Sequence, residues 1–132
     1  MHLQHIRIQP DPYEPYRLSQ AVRVGELLFV SGQAGYGGDG AIVDPHDFDR
    51  QAAQAFRNLQ RALDAGGSSL AQVVKVTIFL TSMAHFPRIV ELRRQYFTPP
   101  YPADTIVEVK ALYTPEAQIE IEAIALAGGS AA

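Results

Sequence analysis

The sequence predicts an α+β fold, a mixed β-sheet with two helices packed on one side, and three observations carry the prediction. Phe48, Ala52, Phe56, Leu59 and Leu63 recur at steps of four, four, three and four, the apolar stripe of one long helix. Val73 to Thr81 is rich in β-branched residues with apolar groups on both alternating faces, the pattern of an inner strand. The elements run strand, hairpin, helix, strand, helix, strand, strand, an order that segregates the helices to one sheet face. The 132 residues are read as one domain, 1–132.

Taken in order, His2 to Ile8 forms a first short strand, and the prolines of Asp11 to Tyr16 make an entry loop. Ala21 to Ser31 reads as two strands around a tight turn at Gly25-Glu26. Gly35 to Gly40 holds four glycines in six residues and is loop. Asp47 is the expected cap of the first helix, and Gly66-Gly67 ends it. In the strand that follows, Val74, Val76, Ile78 and Leu80 share one face; Val73, Lys75, Thr77, Phe79 and Thr81 share the other.

A second helix spans Ala84 to Phe97 and buries Phe86, Ile89, Val90, the stem of Arg93 and Phe97, with Pro87 in its first turn. Prolines in Thr98 to Pro102 stop it. Strands Thr105 to Ala111 and Gln118 to Leu126 close the fold around a turn at Tyr113 to Glu116. On the last strand Ile119, Ile121, Ala123 and Ala125 share one face, and Gln118, Glu120, Glu122 and Ile124 the other.

A net charge of −3 with scattered basic residues offers no electrostatic footprint for nucleic acid. No apolar stretch approaches the roughly 20 residues of a membrane span, and the first ten residues lack the pattern of a signal peptide. Without cysteine there are no disulfides or thiolate metal sites, so a cytoplasmic location is expected. The four histidines show no metal-ligand spacing, and Gly129 to Ala132 is expected to fray. One helix pair covers only one sheet face, while Val73, Phe79 and Ile124 lie on the other. That apolar surface predicts an oligomer.

Four stretches together resemble the Rid (reactive intermediate deaminase), or YjgF-like, superfamily. They are Ser19 to Gly25 running into Leu28 to Gln33, Val73 to Thr81, Tyr101-Pro102-Ala103, and Ile119 to Ala125. The resemblance implies a chorismate-mutase-like fold assembled as a homotrimer, with clefts for a small metabolite between subunits. It implies no metal and no organic cofactor. Deaminase-type members hydrolyse imines and enamines to 2-oxo acids and ammonia.

That chemistry needs an anchor for the substrate carboxylate, a positioned water, and an acidic group to orient it. In deaminase-type members the anchor is an arginine after the Pro-Ala pair; here Asp104 follows Pro102-Ala103. Leu18 stands where the family has a cleft tyrosine, and Val90 where it often has an asparagine. The chain thus resembles an arginine-lacking branch. Glu120 matches the carboxylate that holds the attacking water, Ser31 and Gly32 match the cleft wall, and Ile106 lies where a main-chain amide would face the ligand.

Each candidate has a plainer reading: Glu120 as an ordinary strand carboxylate, Asp104 as a solvated loop residue or cap, Arg17 as a surface cation. Two functions follow. In the first, the clefts take a small neutral or cationic metabolite without conventional imine hydrolysis, because Asp104 would repel a carboxylate. In the second, the protein deaminates a different enamine or imine through Glu120 and a re-sited anchor such as Arg17, with Tyr16 replacing the missing tyrosine. A purely structural role ranks behind both.

Overall fold

The computed structural model describes residues 2–128. The segment expected to fray, Gly129 to Ala132, lies outside the described residues. Strands β1 (Leu3–Ile6), β2 (Ala21–Val24) and β3 (Leu27–Ala34) precede helix α1 (Phe48–Ala65), and β4 (Val73–Leu80) precedes helix α2 (Phe86–Tyr96). Strands β5 (Ala103–Glu108) and β6 (Ile119–Leu126) complete a six-stranded sheet of order β1-β2-β3-β6-β4-β5. Among the described residues only the β4–β5 pairing is parallel, as expected when a helix connects the two strands. The mixed sheet and the two helices agree with the predicted class.

Residue alternation explains where the core sits. Leu28 and Val30 of β3, Val76, Ile78 and Leu80 of β4, and Ile119 and Ile121 of β6 are buried together on one face. Against them lie Ala52, Phe56, Leu59 and Leu63 of α1 and Ile89 and Leu92 of α2. Asp47 caps α1 by accepting from the Arg50 amide at 3.1 Å, and such a cap contributes about 1 kcal/mol. On the opposite face Phe29, Leu126 and Val107 remain exposed.

Three sequence expectations are corrected. A register shift between Val73 and Lys75 puts Val73 in the helix-side core and leaves Val74 exposed, the reverse of strict alternation. In α2 the buried residues are Ile89 and Leu92; Val90 is 48% exposed and Phe86 39%. The helix begins at Phe86, after a 3-10 turn over Met83–His85, and its inward stripe runs through Ile89 and Leu92. Strand β5 starts at Ala103, which brings Asp104 into the sheet opposite Val76.

Candidate functional site

Glu120 projects from β6 on the helix-free face, between Phe79 of β4 and Ala34 of β3 in register. Strand β3 is irregular here, slipping between Val30 and Gln33 around Ser31 and Gly32. A Cβ on Gly32 would lie 2.7 Å from Glu120 Cδ, so only glycine lets the carboxyl pack against this wall. Ser31 fastens the irregular turn: its hydroxyl donates to Ser19 O at 2.6 Å and its amide to Gln20 O at 3.0 Å.

Glu120 faces a cavity of about 280 Å³ shared with Glu122, Leu18 and the tyrosines Tyr13, Tyr16, Tyr36 and Tyr113. Tyr13 donates to Gly32 O at 2.5 Å and meets Tyr36 edge-on at 5.8 Å. Tyr16 and Tyr113 make a second edge-on pair at 6.1 Å. Helix α1 holds these loops through two buried amides. Asn58 donates to Ala34 O and Tyr36 O at 2.8 and 2.9 Å. Gln51 donates to Asp44 O and Glu116 O and accepts from the Gln118 amide at 2.9 Å, fixing the loop that carries Tyr113.

Electrostatics here have one sign. Among the described residues, no lysine, arginine or histidine lines this cavity. Burial, and then the charge of Glu122, raise the pKa of Glu120 above the usual carboxylate range. Burial with the neighbouring Tyr16 and Glu120 pushes the Tyr113 phenol up to about 12, and burial raises Tyr13 further. Tyr13 and Tyr36 already donate their phenol protons, to Gly32 O and to Gln33 Oε1 at 2.8 Å, so Tyr16 and Tyr113 are the phenols left to face the cavity, beside a carboxyl whose protonated form burial favours.

A second cavity, of about 420 Å³, opens beside α2 and the start of β5. Val90 and Asp104 line it with Arg93, Arg94, Glu91 and Tyr101. Arg93 grips Asp104 with both prongs, Nε to Oδ2 at 2.9 Å and Nη2 to Oδ1 at 2.8 Å. Their side chains are only 24% and 16% exposed, and the guanidinium also sits 5.8 Å from the centre of the Phe86 ring. Arg94 pairs with Glu91 at 2.6 Å. Asp104 is thus not the lone negative group expected from the sequence, because Arg93, read there only as a buried stem, neutralises it.

Glu120, Gly32, Leu18 and Tyr16 thus share one cavity, and Val90 and Asp104 share the other. Ile106 packs its side chain on the main core, and its strand β5 is the outer edge of the sheet. Arg17 lines neither cavity; exposed, with a φ of 62°, it closes the 3-10 turn over Glu14–Tyr16. Tyr36, Tyr113 and Arg93 were missed as site residues. The spare signal was compositional, since four of the six tyrosines surround Glu120. No group of three residues able to hold a metal ion occurs among the described residues, and no helix of the described residues is long and apolar enough to cross a membrane.

The six-stranded mixed sheet with two helices on one face places the chain among small α+β proteins. Residues 7–127 match the family described as "Endoribonuclease L-PSP". The chain is 40% identical to a RutC family protein of Sinorhizobium fredii, covering 87% of this chain and 89% of that protein. It is 36% identical to a 2-iminobutanoate/2-iminopropanoate deaminase of Dermatophagoides farinae, covering 89% of each. The solved structure of the Rid family protein YyfA from Yersinia pestis superposes with a TM-score of 0.87 at 31% identity, covering 95% of this chain and 99% of that one. The chain belongs to the Rid/YjgF-like superfamily, to which the L-PSP family description applies.

Proposed function

We propose that the chain is a Rid-type homotrimer of single-domain subunits, acting in the cytoplasm on a small uncharged metabolite. In this reading the Glu120 wall of one subunit faces the Val90–Asp104 wall of its neighbour, so two half-cavities make one cleft. Support for the assembly comes from the exposed Phe29, Leu126 and Val107 on the helix-free face. Sedimentation of the protein tests it: a trimer is expected, and a monomer would rule out the composite cleft.

The observation that carries the ligand class is the Arg93–Asp104 pair. The position after Pro102-Ala103 offers neither a free cation for a carboxylate nor a free anion for a cation, because each neutralises the other. Of the neutral or cationic ligands expected from the sequence, the neutral ones fit. A charge-assisted hydrogen bond contributes about 1.5–3 kcal/mol, so an acid substrate forfeits on the order of tenfold to a hundredfold in affinity. Glu120, held above its usual pKa, orients a water or passes a proton at the opposite wall.

The test is turnover of 2-iminobutanoate and 2-iminopropanoate, the compounds for which the deaminase relatives are named, generated in the assay. Rates well below those of such a relative are expected; equal rates would overturn the reading. A second reading, deamination of a different enamine or imine through Glu120, is favoured by those relatives. There Arg93, not Arg17, is the cation nearest Asp104, and Glu120→Ala abolishes ammonia release. RNA cleavage, suggested by the family's description, finds no support in a cavity lined by Glu120 and Glu122 with no cation among the described residues.

A further inference from the structure

We infer that Asp104 is an internal competitor for Arg93, a resident carboxylate that sets the adjoining cavity against small carboxylate ligands. The inference deepens the proposed ligand class and rests on that reading of the wall.

A guanidinium carries five N–H donors in a rigid plane with two edges able to take a carboxylate two-handed. Asp104 fills one of them, Nε and Nη2, at 2.9 and 2.8 Å. The other edge, Nη1 with the remaining Nη2 proton, has no partner among the described residues. Arg93 lines the cavity and cannot readily swing away, because Phe86 lies 5.8 Å below the guanidinium and Asp104 holds its plane from the neighbouring strand. The donor geometry for an acid is therefore present.

What is missing is net charge. Arg93 is cancelled by Asp104 and Arg94 by Glu91, so the cationic and anionic groups lining the cavity come in two neutral pairs. An acid on the free edge of Arg93 would meet the guanidinium at contact distance and Asp104 only a few ångströms behind it. The attraction survives in part, and the repulsion removes much of it. The rest of the wall, Val90, Phe97, Tyr101 and Pro102, adds no charge of either sign. Selectivity against acids at this wall thus comes from the occupancy of an existing anchor by the protein's own side chain.

Removing the charge of Asp104 should convert the cavity into an acid-binding one. Pyruvate is the probe, titrated into wild-type protein, Asp104→Asn, Asp104→Ala and the Arg93→Met/Asp104→Asn double variant, with calorimetry as readout. Both single variants are expected to lower the Kd for pyruvate on the order of tenfold or more, and the double variant to lose the gain. Folded single variants binding pyruvate no better than wild type would overturn the inference. So would a gain that persists without Arg93, since the acid would then be held elsewhere.

Should neither single variant fold, the wild-type protein still decides. Its Arg93 Nε resonance is expected to stay unperturbed by pyruvate at low millimolar concentration, and saturation there would overturn the inference. Pyruvate binding involves no turnover. A failure here therefore leaves the Glu120 wall untested, and a fast imine deaminase would be detected separately.

Discussion

The two cavities share a subunit and differ in how their charges are balanced. Around Glu120 two carboxyls and four tyrosines meet with no cation among the described residues, and burial favours the uncharged form of Glu120. Around Arg93 every acid has a base, and the pairs are fixed by hydrogen bonds of 2.6 to 2.9 Å. Burial favours the protonated carboxyl at the first wall, whereas paired charges fix the geometry of the second. In the proposed function the first wall carries the chemistry and the second chooses the ligand.

The comparison breaks most visibly if one member of the balanced pair is removed. Arg93→Met leaves Asp104 mostly buried without its partner and is expected to cost about 2–3 kcal/mol in a denaturant titration, somewhat less than a fully buried pair because both side chains keep some water. A loss within error of zero would mean that the pair holds nothing in place. Next in size is Gly32→Ala. The added methyl must displace the Glu120 carboxyl, the outer part of a flexible side chain that can turn aside, at a cost of about 0.5–1.5 kcal/mol. The same variant should depress any turnover that depends on Glu120 while leaving the Arg93 cavity unaltered.

The smallest effect is the most specific. Burial raises the Glu120 pKa, so the folded state binds that proton more tightly than the unfolded chain does. The carboxyl therefore costs nothing below the ordinary carboxylate range, and its penalty grows as pH rises through the folded pKa. Glu120→Gln should melt higher than wild type at neutral pH and level with it in acid, checked by thermal scans across pH. A gap independent of pH would mean that repacking, not ionisation, causes it.

Much of the fold was legible because it rests on periodicity. The stripe from Phe48 to Leu63 and the alternation from Ile119 to Ala125 are buried where expected. Irregularities were not legible. The slip at Val73 reverses two neighbours, and in α2 Leu92, not Val90, is buried. For the site, the acidic residue at position 104 was visible but its partner was not, since Arg93 lies eleven residues away on a different element. Tyr36 and Tyr113 sit on loops whose course is set by Asn58 and Gln51, contacts 22 and 65 residues apart that no local pattern encodes.

Those two amides of α1 reach past the secondary structure to grip backbone carbonyls of separate loops, and they do so from the interior. That part of the aromatic rim, Tyr36 and Tyr113, is thereby suspended from a helix that does not line the cavity. Its shape is settled before anything enters, and little ordering entropy is left to lose on binding. Affinity at the rim will consequently respond to mutations one layer beneath it, on a face with no solvent contact.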